Sequence, residues 1–165
     1  GLVGSEMCIR DSMMNFQTSV GLPVGLPPIS HISPILLMGS CFAENMGTFL
    51  TEAKFQLDLN PFGILYNPLS ISSALKEIIT KKEYTEKDLF AYRGLWHSTM
   101  HHGSFSAITP EATLQNINAR LLQAHQTVPK LDWLMLTFGT AYVYEAKETG
   151  KVVSVSYTHL TLPTT

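Results

Sequence analysis

The sequence predicts an α/β domain in which buried, mainly parallel strands alternate with amphipathic helices, and three observations carry that prediction. Ile35-Leu36-Leu37-Met38 and Trp133-Leu134-Met135-Leu136-Thr137-Phe138 are short apolar runs, closed by Gly39 and Gly139. Runs of this kind suit strands covered on both faces. Between them lie three segments whose apolar residues recur every three or four positions, the spacing of one helix face. A tight Gly39-Ser40 turn joins the first run to the first of these segments.

Each element follows in order. Met13 to Ser33 is rich in Pro, Gly and Ser; Pro23, Pro27 and Pro28 restrict the residues before them, giving an extended lead-in with room for one edge strand. Pro34 and Gly39 bound the first central strand. In the segment from Cys41 to Lys54, Phe42, Met46, Phe49 and Leu50 form an apolar stripe on a helix. Phe55 to Asn60 is a short strand, and Asn60 to Pro68 a loop framed by two Asn-Pro steps. Ser70 to Thr80 is a second helix, capped by Ser70 or Ser72, with Ala74, Leu75, Ile78 and Ile79 inward. Lys81 to Lys87 is its solvated exit.

Asp88 to Phe105 shows no clear period and reads as irregular or short strand. Thr109-Pro110-Glu111 opens a third helix, Thr as cap and Pro in the first turn, with Leu114, Ile117, Leu121 and Leu122 buried. Trp133 to Phe138 is a second central strand. Tyr142-Val143-Tyr144 and Val152-Val153 form a hairpin or neighbouring strands around Gly150.

Composition narrows the function classes. With 165 residues, 45% hydrophobic, 15% charged and a formal net charge of −2, the chain can hold one domain with a core, and its charge pattern argues against a nucleic-acid partner. No apolar stretch approaches the roughly 20 residues that span a bilayer, so a soluble chain with no membrane partner is expected.

The two ends read as one inverted DNA repeat. Met7-Cys8-Ile9-Arg10-Asp11 written as ATG TGT ATA AGA GAC has the reverse complement GTC TCT TAT ACA CAT, which encodes Val155-Ser156-Tyr157-Thr158-His159. The pattern resembles adapters added to both ends of fragments before sequencing, so residues 1–12 and 154–165 are expected to be adapter-derived tails. The natural segment, 13–153, then keeps ten Lys plus Arg, eleven Asp plus Glu and one cysteine, Cys41. A single cysteine rules out a disulfide within the segment and permits a reducing compartment. With no signal peptide visible, the cytoplasm is favoured over secretion.

The chemistry concentrates at Ser40. In open α/β sheets ligands collect outside the carboxyl ends of the strands, and amides at a helix start can hold a developing oxyanion. Ser40 is either a helix cap or a nucleophile, and position alone favours the cap. Cys41 offers a rival thiolate paired with His102, against a reading in which it turns into the core. His101 and His102 read as a structural loop, or as substrate-binding or base residues. His97, His101 and His102 lack acidic partners in the spacing of a metalloprotease, so no metal and no other cofactor is expected.

Gly39-Ser40-Cys41-Phe42-Ala43-Glu44-Asn45 resembles the motif of the GSCFA family. Three further stretches resemble that family's pattern in order: Asn60 to Pro68, Trp96-His97-Ser98 through His101 to Ser106, and Leu136 to Tyr144. The resemblance implies an incomplete flavodoxin-like three-layer α/β/α sandwich of the SGNH-hydrolase type, and ester hydrolysis through a serine. It implies Ser40 as nucleophile and oxyanion amides at Ser40, Gly63, Gly139 and Thr140. The wider superfamily carries an asparagine side chain at the third block, where Thr140-Ala141 has none; Asn60 or Asn67 could substitute in space. Its triad Asp and His come from a carboxyl-terminal part that this chain is not expected to reach. The expected function is thus a serine-dependent hydrolase of acyl or acetyl esters, small-molecule or carbohydrate, truncated here, of marginal stability and little activity. The alternatives are a non-catalytic binding domain on the same fold and a cysteine hydrolase using Cys41.

Overall fold

A computed structural model describes residues 21, 25–145, 150 and 152–154. The expected tails fall outside the described residues apart from Ser154, as does most of the lead-in. The first strand, β1 (Ile35–Gly39), has all five residues buried and lies at the centre of a three-stranded sheet. It pairs in parallel with β2 (Leu57–Leu59) on one side and with β5 (Trp133–Thr137) on the other. Helix α1 (Cys41–Glu52) links β1 to β2. After β2 come α2 (Pro68–Ile79), a hairpin of β3 (Leu89–Tyr92) and β4 (Leu95–Ser98), and α3 (Pro110–Thr127), which leads into β5. A two-residue β6 (Tyr144–Glu145) pairs antiparallel with β7 (Val152–Val153), the expected hairpin around Gly150.

Strand pleating sorts the helices into layers. Leu36 and Met38 point to one face and join a core with Ile71, Ala74 and Ile78 of α2 and Ile117, Leu121 and Ala124 of α3. Leu37 and its partner Leu59 point to the other face, where Leu59 packs on Gly47 of α1. Helices therefore cover both faces of a parallel sheet, as the α/β sandwich expectation requires.

The apolar stripe expected to bury α1 does not do so. Phe42 and Phe49 are 61% and 66% exposed, and Met46 is exposed too. Ala43 and Gly47, four residues apart, face the sheet instead. Small residues let the helix backbone approach Leu59 closely, and any side chain on Gly47 would press into it. The helix start of α2 is also earlier than expected: Asn67 caps it by accepting from Ser70 N–H at 2.8 Å, and Pro68 occupies the first turn. Ala74 and Ile78 are buried as expected, whereas Ile79 is exposed. In α3 the expected Thr109 cap forms and Ile117 and Leu121 are buried, but Leu122 is exposed.

The segment without period, Asp88 to Phe105, holds the β3–β4 hairpin. Its two-residue turn, Arg93-Gly94, has φ of 49° and 79°, the twist that matches right-handed strands. The strand expected as a second central one, β5, is an edge among the described residues, with Leu134 and Leu136 exposed.

One ion pair ties the sheet to α3. Asp58 of β2 is buried and bonds Arg120 of α3, whose guanidinium also donates to Leu59 O at 3.0 Å. Removing one partner strands the other charge in a poorly hydrated site. Arg120→Met is expected to lower the unfolding free energy by about 2 kcal/mol, a value reduced for the partial exposure of the pair. A urea titration checks this, and an unchanged midpoint would show that Asp58 is already solvated.

Candidate functional site at the end of the central strand

The chain runs from β1 to β2 on one side of the sheet, then returns past β1 to β5 on the other. The carboxyl ends of β1 and β5 thus form a topological switch point, the kind of place where open α/β sheets bind ligands. Gly39 and Ser40 stand at this point. Gly39, the last residue of β1, has φ of 145°, and a side chain there would collide with the Thr137 carbonyl. Only glycine fits this close approach of β1 to β5.

Ser40 is the N-cap of α1. Its Oγ accepts from Phe42 N–H at 3.3 Å and lies 3.2 Å from the Thr137 hydroxyl, while its own N–H donates to Thr137 Oγ1 at 3.1 Å. Gly139 packs beside it: a side chain at Gly139 would come within 3.4 Å of Ser40 Cβ and 2.9 Å of the Tyr66 ring. Ser40 is 6% exposed. Among the described residues, no imidazole or carboxylate bonds its hydroxyl.

The expected oxyanion amides are engaged within the protein. Ser40 N–H is bonded to Thr137, Gly63 N–H donates to Asn60 O at 2.8 Å, and Gly139 and Thr140 N–H both donate to Tyr66 O, at 2.8 and 3.1 Å. In this conformation they are bonded internally and do not form a preformed oxyanion hole. Gly63 has another reason to be glycine. Its φ is 82°, and a side chain there would collide with Cβ of His102.

The two asparagines separate. Asn67 is 1% exposed and its side chain is spent on Ser70 as the α2 cap, which removes it from the site. Asn60, with φ of 41°, reaches the Ser40 turn directly: its Oδ1 accepts Gly39 N–H at 2.9 Å and its Nδ2 donates to Glu44 Oε2 at 2.7 Å. Glu44 is a site residue that the sequence reading did not single out. The available signal was its position, four residues after Ser40 and so on the same side of α1.

Asn60 and Glu44 also line a cavity of about 320 Å³ with Gly63, His102, Ser104 and Phe105. His102 lies at its wall, with Nδ1 taking Ser104 N–H at 3.2 Å and standing 3.0 Å from Ser104 Oγ. His101 does not reach it. Its ring is wholly buried, stacked on Phe62 at 4.3 Å and bonded through Nδ1 to Ser98 Oγ at 3.1 Å, so it is a core residue and not a substrate contact. Cys41 is exposed, contrary to the reading that turned it into the core, because the buried face of α1 begins at Ala43. No group of three or more His, Cys, Asp or Glu able to hold a metal ion occurs among the described residues, and no described helix is long and apolar enough to cross a membrane.

Two measurements test these placements. Ser40→Ala removes a helix cap and is expected to cost about 1 kcal/mol in a denaturant titration, irrespective of any chemistry at the residue; an unaltered midpoint would mean that Phe42 N–H finds water instead. Burial, with Lys82 nearby, holds the His101 imidazole down at about 3, below its ordinary 6.5. Between those values the unfolded chain binds the proton and the folded one does not. Stability is therefore expected to be intact above about pH 6.5 and to fall as the pH drops towards 3, with His101 neutral by NMR at pH 5. A His101 ring that titrates near 6.5 contradicts the buried placement.

A model of the GSCFA family matches residues 34–160, a span that contains the Ser40 turn, Asn60 and the His101-His102 segment. No curated protein and no solved structure matches the chain.

Proposed function

The chain belongs to the GSCFA family, and on that premise we propose that it is built as a serine-dependent hydrolase of acyl or acetyl esters, carbohydrate esters included, with Ser40 as nucleophile. The observation that carries this reading is the place of Ser40. It follows the last residue of the central parallel strand, caps a 12-residue helix and stands at the switch point of the sheet. In the reaction the Ser40 Oγ bonds to the ester carbonyl carbon as its proton passes to a general base. The tetrahedral intermediate collapses with loss of the alcohol, and water then releases the acid from the acyl-serine.

Two features set the conditions for that chemistry. Thr137 holds the Ser40 hydroxyl and amide, so a substrate carbonyl must displace Thr137 before attack. The base must come from outside the hydrogen-bonding partners described, since those of Oγ are Phe42 N–H and Thr137. Turnover by this chain alone is accordingly expected to be slow. A second reading has its own support: the engaged amides at Gly63, Gly139 and Thr140 suit a domain that binds an ester or glycan without hydrolysing it.

A serine-directed fluorophosphonate with peptide mapping, and a short-chain nitrophenyl ester, separate the readings. Modification is expected on Ser40, with Ser40→Ala lowering labelling and any turnover at least about 10³-fold and Cys41→Ala leaving them within about twofold. Modification that follows Cys41 would assign a thiolate mechanism. No modification of either residue would leave the binding domain as the function.

A further inference from the structure

The end of β2 and the cavity beside it hold an asparagine whose bonds the hydrolase chemistry does not require. Asn60 is 6% exposed and sits in the left-handed region at φ 41°, a conformation that asparagine tolerates better than most residues. Its backbone continues the β1–β2 ladder, with N–H donating to Leu37 O at 2.9 Å and its carbonyl taking Gly63 N–H. That leaves the side chain for two further tasks. The only atom of the side chain that can accept Gly39 N–H is Oδ1, and the only one that can satisfy the Glu44 carboxylate is Nδ2. The amide orientation is thereby set by its two partners. A carboxylate on the wall of the cavity is joined, through one side chain, to the backbone amide of the residue before Ser40.

We propose that Asn60 is a positioning residue for Ser40: oriented by Glu44, it fixes the Gly39 amide and so the direction in which the turn presents the Ser40 hydroxyl. This rests on the reading of Ser40 as nucleophile. It differs from an oxyanion role for Asn60, because the residue acts through the Gly39 amide and not on the substrate oxygen. Gly39 is the residue where such control matters. Its carbonyl already takes Leu65 N–H at 2.8 Å, and its φ is one that no other residue would hold unaided. With both its backbone groups held, the turn has little freedom left. Without the Asn60 bond, the Met38–Gly39 peptide loses its hold from the β2 side, and the Gly39 φ that aims the turn is no longer fixed. Thr137, which already bonds the Ser40 amide and hydroxyl, is then left as the side chain that holds the turn.

The test exchanges donor and acceptor. Asn60→Asp keeps an acceptor for Gly39 but sets a carboxylate against Glu44, so Gly39 amide hydrogen exchange is expected to rise and Ser40 fluorophosphonate labelling to slow, each by about three- to tenfold, the worth of one hydrogen bond. Asn60→Asp with Glu44→Gln restores a donor opposite the new carboxylate and is expected to return both rates towards the parent values. Glu44→Ala, at an exposed helix position, keeps the test decisive if Asn60→Asp does not fold, and is expected to shift both rates in the same direction as the aspartate variant. Gly39 exchange that is unchanged in Glu44→Ala overturns the orienting role of Glu44. Exchange that changes while Ser40 labelling does not overturns the positioning role and leaves a structural bond. A parent chain whose Ser40 is never labelled overturns the hydrolase reading and the positioning role with it, a result distinct from the other two because it is seen before any substitution at residue 44 or 60.

Discussion

The carboxyl end of β1 is pinned from both neighbouring strands, and the arrangement of the site depends on that double attachment. From the β2 side Asn60 takes the Gly39 amide; from the β5 side Thr137 takes the Ser40 amide. Register makes this possible. Leu37 pairs with Leu59, just before Asn60, and Gly39 pairs with Thr137, so the parallel ladder delivers both side chains to one turn. A one-residue slip would invert the faces of a strand and send Leu36 and Met38 away from α2 and α3. The hydrophobic core and the geometry around Ser40 are therefore set by the same pairing.

The helix layers follow from residue size as much as from hydropathy. Ala43 and Gly47 let α1 lie close to the sheet, which carries its cap, Ser40, and its first-turn carboxylate, Glu44, to the strand ends. The larger apolar residues of the same helix, Phe42, Met46 and Phe49, face outward. Leu134, Leu136 and Phe138 are likewise exposed along the β5 edge.

At Ser40 the observed helix cap and the proposed nucleophile share one hydroxyl. As a cap it accepts Phe42 N–H and secures the helix start; as a nucleophile it would have to exchange the Thr137 contact for a carbonyl carbon. The roles are compatible, since the helix start that a cap completes is also the place where backbone amides can stabilise negative charge. The cavity lies on the Asn60 side of the turn, and Thr137 takes the Ser40 amide from the other side.

Elements with a strong local signal were legible in the sequence. The apolar run 35–38, the glycine that closes it, the Thr109-Pro110 helix start and the helical period of 110–127 each specify their structure through interactions within a few residues. The Ser40 cap and the Gly39-Ser40 turn belong to the same class. Elements that depend on distant partners were not legible. Hydropathy period pointed to the large apolar face of α1, whereas the close approach of Leu59 selects the small one of Ala43 and Gly47. Asn60 and Asn67 could not be told apart, because what separates them is that one meets Gly39, 21 positions earlier, and the other its own helix start. The Asp58–Arg120 pair, 62 positions apart, and the placing of His101 among Phe62, Tyr84 and Phe105 are of the same kind. The chain's own residues determined which segments are strand and helix and where the serine turn falls, since local backbone and hydropathy preferences suffice for that. Which face is buried, which amides are already bonded and which side chain holds the turn were decided by tertiary structure, because each depends on contacts that exist only once β1, β2 and β5 are side by side.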